Sequence, residues 1–293
     1  MLFRKLLPFD YLEAESLSDA VEILGGRKQK AAIMAGGISL IDQMKRRMQQ
    51  PQAVVSLQRI KSLRFVKETK GSLKIGALAT LRDAEKSSLV SSKFPSLWDA
   101  IKQIGSVQVK TMGTMVGNLA ACNPASDVAT ALIALGAEIK VVGKNGQRQF
   151  PLEKFAVGVR KNQLKKDEIV AEIVVPFQEE DASACFMNLA RTKEDIAKVV
   201  VSVKVVRDGA QIKDARIVLG AVAPIIVRAA EAEAMLKGEK PTMQLVRAAA
   251  RAAADAKEVT PITDIRSTAE YRKEMVEVLT RRALVSALGA DLN

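Results

Sequence analysis

The sequence predicts two domains of mixed helix and strand, the first assembled from strand, glycine turn and helix units and the second from a hairpin sheet that carries helices. Three observations point there. In the first half, apolar stretches run into glycine-bearing turns and re-emerge with helical spacing. In the second, alternating apolar stretches flank Asp208-Gly209, a hairpin signal, and long helical periods follow. Between them, after Pro176, the acidic stretch Glu179-Glu180-Asp181 reads as a linker. At 293 residues the chain exceeds the usual single-domain size, and each half is long enough to bury a core.

Taken in order, Ser16 is an N-cap candidate with Asp19 three positions on and Gly25-Gly26 as a stop, which predicts a short helix. Residues 31–34 form a compact apolar strand. Ala35-Gly36-Gly37-Ile38-Ser39 breaks it, and a helix resumes over 40–48 with Leu40, Ile41, Met44 and Met48 on one face. Strands are expected at 51–57 and 73–75 and a helix at 94–104. A second glycine-bearing stretch, Thr111 to Asn118, leads through Asn123-Pro124-Ala125-Ser126 to a helix over 127–135 closed by Gly136. Residues 139–142 and 147–150 should pair about Asn145-Gly146, residues suited to the positive φ of a type I′ turn. A strand at 169–175 stops at Pro176. In the second half, strands at 199–206 and 212–219 should carry helices at 227–236, 243–256 and 269–288. The last should pack through Tyr271, Met275, Val278, Leu279 and Val285.

Composition narrows the chemistry. With 48% apolar and 27% charged residues the chain reads as a globular protein rather than a disordered or fibrous one. It contains no histidine, which removes the commonest general acid/base, the Ser-His-Asp triad and most zinc sites. The expectation is that a cofactor carries the chemistry. Cys122 and Cys185 lie far apart with no C-x-x-C, so the chain cannot supply the four thiolates of its own iron-sulfur cluster.

A net charge of +12 raises the question of nucleic acid. Basic residues are spread along the chain, however, and the longest run is Lys45-Arg46-Arg47. Trp98 and two tyrosines offer little surface for stacking bases. An acidic protein partner or an anionic ligand suits the charge better. No apolar run reaches the ~18 to 20 residues of a transmembrane span. Met1 to Asp10 show neither an extended hydrophobic segment nor a small-residue cleavage site, so the expected compartment is the cytoplasm.

The Gly36-Gly37 turn lies between a strand and a helix start, where unpaired backbone N–H groups and the helix dipole favour an anion such as a diphosphate. Lacking Cβ atoms, its glycines let phosphates come close. A plain structural turn has the same pattern, and both the Rossmann and P-loop patterns are missing. The second stretch again joins small residues, Gly113, Thr114, Gly117 and Asn118, to a helix whose first turn holds Asp127. Asp127 reads either as a cap or as an acceptor for a ribose hydroxyl or amide. Two such turns could clasp one phosphorylated cofactor.

Both stretches resemble the flavin signatures of the medium subunit of molybdenum hydroxylases, the carbon monoxide dehydrogenase and xanthine dehydrogenase flavoprotein family. Ala35-Gly36-Gly37-Ile38-Ser39 resembles its A-G-G-x-S/T/D turn, and Thr114-Met115-Val116-Gly117-Asn118 its T-I-G-G-N turn. The likeness is collinear over nearly the whole chain. Pro8-Phe9-Asp10-Tyr11 resembles the family's opening, Asn123-Pro124-Ala125-Ser126-Asp127 its N-x-P-A-A/S-D segment, and Asp195-Ile196-Ala197 its D-I-A segment. Gly220 to Pro224, Arg228-Ala229 and Ile265 to Arg272 resemble its C-terminal domain.

The resemblance implies an α+β fold. A vanillyl-alcohol-oxidase or PCMH-type FAD-binding domain of two subdomains would cover residues 1–177. A C-terminal domain over 182–293 would hold an antiparallel sheet covered on one side by helices. FAD would lie extended between them, with Ile33, Met34, Ala35, Gly36, Gly37, Ile38, Ser39 and Leu40 wrapping its diphosphate. Thr114, Met115, Val116, Gly117 and Asn118 would hold the diphosphate and nearby ribitol, Asp127 would hydrogen-bond the cofactor, and Val170 would lie near the ring. Neutral donors suit this task because they bind a dianion without fixing a full charge beside a redox-active ring.

Two residues depart from the family pattern. Val116 stands where the first of the paired glycines is found, so its isopropyl group either displaces the cofactor or shifts the loop to a different φ. Met187 and Asn188 follow Phe186 where a lysine is often found. The implied function is an electron-transferring flavoprotein subunit, incomplete as an enzyme alone, with no catalytic acid, base or nucleophile and no metal site in this chain. It would take electrons from [2Fe-2S] clusters in a small partner subunit, beside a large molybdopterin-binding subunit, in a dimer of heterotrimers. The alternative is a non-redox scaffold subunit that has lost FAD. A free-standing oxidase is disfavoured, since covalent flavin attachment through histidine is impossible here.

Overall fold

Parallel strands need crossover connections, and the N-terminal alternation of short apolar strands with short helices supplies them. The computed structural model describes residues 5–26 and 30–289; Met1 to Arg4 of the N-terminal stretch lie outside these. Strands β1 (Asp10–Glu13), β2 (Ala31–Met34) and β3 (Ala53–Ser56) form a parallel sheet in the order β1-β3-β2. Helices α1 (Leu17–Gly26) and α2 (Ile38–Lys45) are the crossovers. All four residues of the central strand β3 are buried, as expected of a parallel strand covered on both faces.

A second, antiparallel sheet has the order β4-β5-β10-β6-β7, from β4 (Val66–Thr69), β5 (Ser72–Gly76), β6 (Glu138–Gly143), β7 (Gly146–Pro151) and β10 (Ile169–Pro176). A small ribbon, β8 (Ala156–Gly158) and β9 (Lys161–Asn162), precedes β10. Between β5 and β6 the chain runs through α3 (Leu81–Lys86), α4 (Ser88–Lys93), α5 (Pro95–Gln103), α6 (Val107–Met112), α7 (Met115–Ala120) and α8 (Asp127–Ala134). The β6–β7 turn is Lys144-Asn145 rather than type I′ about Asn145-Gly146: positive φ falls on Gly146 alone, at 105°. Asp167 helps hold it there by accepting from the Lys144 N–H at 3.0 Å.

The second half contains β11 (Ala182–Leu189), β12 (Val199–Asp208), β13 (Gln211–Gly220) and β14 (Val227–Arg228), paired antiparallel in that order. The period of two decides what each face meets. Val199, Val201, Val203 and Val205 face a core shared with α9 (Ala230–Leu236), α10 (Met243–Asp255) and α11 (Ala269–Leu288). Val200, Val218 and Phe186 face the other way, into the core of the first half. Helix α8 packs on that face, so the sheet has helices on both sides rather than on one. Gly220 allows this approach, because a Cβ there would lie 2.7 Å from Thr130 Oγ1.

Two second-half expectations change. The helix expected from 227 starts at Ala230, because Val227 and Arg228 extend the sheet and Arg228 ties it down by pairing with Glu153 and Glu233. Helix α11 has the expected span but a rotated buried face, built on Arg272, Val276, Leu279, Ala283 and Leu284, while Tyr271 is 40% exposed. Arg272 can be buried because its guanidinium donates to the Lys198 and Ala221 carbonyls and to Asp264.

Candidate cofactor site

Helix α2 has no side chain to cap it. Its N-cap is Gly37, at φ 77°, and the first intrahelical bond runs from the Ile41 N–H to the Gly37 carbonyl at 2.9 Å. The N–H groups of Ile38, Ser39 and Leu40 have no partner among the described residues. Carbonyls at the start of the turn, by contrast, are occupied. Met34 O accepts from the Leu57 N–H at 3.0 Å and Ala35 O from Gln58 Nε2 at 2.6 Å, which fixes the turn to the end of β3. The result is an anion cradle of outward N–H groups on a helix dipole.

The second stretch is not an open turn but the joint between α6 and α7. Thr114 is the α7 N-cap, its Oγ1 accepting from the Gly117 N–H at 2.9 Å. The main chain on either side is tied back at 2.9 Å, with Leu81 N–H donating to Gly113 O and Met115 N–H to Ala79 O. The two stretches meet backbone to backbone. A Cβ on Gly36 would sit 1.7 Å from the Met112 carbonyl oxygen and 3.2 Å from Gly113 Cα. The missing side chain of Gly36 therefore makes room for the other loop.

Around this contact lie two chambers. One, of about 460 Å³, is walled by Ile33, Met34, Ala35, Gly36, Gly37, Ile38, Ser39 and Leu40, with Thr114, Val116, Gly117, Asn118 and Val170 opposite. The other, of about 1020 Å³, shares Met34 to Ile38 and Thr114 and is walled beyond them by Lys45, Lys61, Arg64, Thr80 and Met112. Both volumes suit parts of a dinucleotide. Met115 is fully buried and Asp127 lies outside both walls, with Asn188 Nδ2 donating to its Oδ1 at 3.3 Å. Burial pushes the Asp127 carboxyl up to about 6, and the Asn188 hydrogen bond opposes that rise. Val116 lies in the first turn of α7 with negative φ, so the altered-φ outcome does not arise; its side chain faces the first chamber.

Sequence patterns missed Asn162, Lys165, Lys166, Ile104 and Lys61, which belong to no motif and are brought to the walls by the sheet order alone. The carboxylates at the rim are neutralised. Arg148 grips Glu168 at 2.9 and 2.7 Å and holds its carboxyl below the usual range, and Arg46 pairs with Asp42 at 2.9 Å. Cys122 is buried and its thiol is pushed up to about 11, so it stays protonated. Uncharged N–H donors, a hydroxyl at Ser39 and lysines at the rim fit a dianionic diphosphate.

This cradle between two small sheets, beside a helix-backed third sheet, has the architecture of a flavoprotein. Residues 7–178 match the FAD binding domain in molybdopterin dehydrogenase and residues 184–287 the CO dehydrogenase flavoprotein C-terminal domain. The chain belongs to the FAD-binding medium-subunit family of the molybdenum hydroxylases and is an oxidoreductase component. It is similar to the carbon monoxide dehydrogenase medium chain of Hydrogenophaga pseudoflava, 33% identical over 95% of this chain and 96% of that one. The glyceraldehyde dehydrogenase medium chain of Sulfolobus acidocaldarius is 32% identical, over 94% and 96%. Among solved structures, the Hydrogenophaga pseudoflava carbon monoxide dehydrogenase that lacks the Mo-pyranopterin moiety of its cofactor matches with a TM-score of 0.93, covering 97% of this chain and 98% of that one at 33% identity. In this family's terms the parallel and the five-stranded sheets are the two subdomains of the FAD-binding domain.

Proposed function

We propose that this chain carries electrons from [2Fe-2S] clusters in a small partner subunit, through FAD, to an external acceptor, while hydroxylation proceeds at a molybdopterin centre in a large partner subunit. One observation carries the reading: the uncapped N-terminus of α2, packed against the α6–α7 joint at the waist between two chambers. The N–H groups of Ile38, Ser39 and Leu40 take the diphosphate there. Val170 would line the chamber for one flat ring system, and Thr80 and Met112 the chamber for the other. Bound FAD supplies the exchange between single electrons and a pair. Met115, buried behind the walls, and Ser126, whose hydroxyl donates to Asn118 Oδ1, support the second loop, while Asp127 lies behind them against Asn188.

Residues 1–177 and 182–293 are read as the two domains, a division supported by the separate family matches and the two cores. The assembly is read as a cytoplasmic dimer of heterotrimers. No helix of the described residues is long and apolar enough to cross a membrane.

The purified complex should release stoichiometric FAD on denaturation, and reducing substrate should bleach the flavin absorbance only when the cluster subunit is present. A colourless, folded, partner-bound chain would instead establish the scaffold alternative. Native mass measurement tests the dimer of heterotrimers.

A further inference from the structure

Helix α6 is a wall of both chambers: Val109 faces the first, Thr111 and Met112 the second. It also carries the Met112 carbonyl that occupies the space beside Gly36. Yet α6 is not held by a hydrophobic face. Val107 and Met112 are 56% and 55% exposed, and the one buried residue of the helix is Lys110, 4% exposed. Lysine is almost never buried without a partner. Here the Lys110 ammonium pairs with Glu85 Oε1 on α3, and Arg82 takes the other carboxylate oxygen. The Glu85 main chain is held in turn, its carbonyl accepting from Trp98 Nε1 at 2.9 Å.

We propose that Lys110 is a positioning residue for the flavin: its ion pair with Glu85 sets how far α6 and the second loop stand from the Gly36-Gly37 cradle. An apolar side chain of the same reach could bury itself in many orientations. A charge that must meet a fixed carboxylate in a dry place has one. Losing it frees α6 to swing about Gly113, which opens the contact at Gly36 and spoils both chamber walls together. The inference rests on the FAD reading of the site.

The test uses the full complex stripped of flavin and titrated with FAD, together with amide exchange over residues 106–118. Lys110→Met should weaken FAD binding about tenfold or more and speed exchange of these amides. Glu85 keeps Arg82 as its partner in that variant, so no lone carboxylate is left. Lys110→Arg, which preserves the charge and the reach, should restore both. Lys74→Met, which breaks a half-buried pair with Glu172 at 3.3 Å away from α6, should leave both unchanged.

If Lys110→Met does not fold, Glu85→Gln reads the same pair with its shape kept and should give a smaller loss of affinity. Wild-type affinity and exchange in a folded Lys110→Met or Glu85→Gln variant would overturn the proposal. Wild-type protein that never takes up FAD would overturn the function proposed above instead, and the exchange measurement would still judge the role of Lys110.

Discussion

The turn at Gly36-Gly37 leaves its helix uncapped, whereas the joint at Gly113-Thr114 caps the following helix with a hydroxyl of its own. In the first, carbonyls are tied to Leu57 and Gln58 and N–H groups are left over. In the second, the Gly113 carbonyl and the Met115 and Gly117 N–H groups are consumed internally, by Leu81, Ala79 and Thr114, and only the Thr114 and Val116 N–H groups are left without a partner among the described residues. The first is built to bind and the second to brace. Their glycines differ accordingly: Gly36 permits a close approach, Gly37 a left-handed φ, and Gly117 leaves room for the capping oxygen, 2.7 Å from where its Cβ would be.

The largest effect should come from removing the close approach. Gly36→Ala places a methyl 1.7 Å from a carbonyl oxygen of the main chain, which no rotamer change relieves. The loops must separate. The variant should lose bound flavin entirely, seen as a colourless preparation, with a lower melting temperature for whatever folds. Retained flavin at wild-type affinity would show that the two loops are not interlocked.

Asp127 tests the region behind the second loop. Its carboxyl rises from an ordinary 3.8 to about 6 because burial disfavours the charge. The folded protein therefore holds this proton more tightly than the unfolded chain does. The group costs nothing below about pH 4, and the penalty grows as pH rises through about 6, to roughly 3 kcal/mol. Asp127→Asn keeps an acceptor for Asn188 and removes the charge. Its gain over wild type in urea midpoint should be near zero at acid pH and largest above pH 6. A pH-independent difference would place Asp127 in a wetter setting than its contacts imply.

Much of this was legible in the residues, and what was not has specific causes. The span of α11 was readable from its helical apolar spacing over 269–288, but its buried face was not. Hydropathy assigns Arg272 to solvent, and only tertiary carbonyls and Asp264 make its burial possible. The glycine signatures did not reveal that Gly36 also makes room for the Met112 carbonyl, since a motif does not say which neighbour fills the space of a missing Cβ. Nor does local pattern reveal that α6 carries a buried lysine, or that Lys165 and Lys166 reach one chamber and Lys45 and Lys61 the other. Those facts belong to the sheet order.

Gly37 isolates backbone conformation from crowding. A Cβ there would meet Ile41 and Met34 at an ordinary 3.5 Å, so the cost of Gly37→Ala is the left-handed φ of 77° alone, about 1–2 kcal/mol. Stability by urea titration should fall by that amount. Gly37→Asn should fall by less, since asparagine tolerates this region better. Equal losses would mean that the space, not φ, is limiting.

The smallest effect separates binding from bracing most cleanly. Thr114→Ala removes the α7 cap and should cost about 1 kcal/mol of stability with or without flavin, because the hydroxyl serves the Gly117 N–H rather than a ligand. Ser39→Ala should do the reverse. No intramolecular hydrogen bond involves its hydroxyl among the described residues, so the flavin-free protein should melt as wild type while FAD affinity drops severalfold. Measured together by urea titration and FAD titration, the two variants should fall on different axes. If both lose affinity equally at unchanged stability, the second loop binds the cofactor as directly as the first and the division between cradle and brace is wrong.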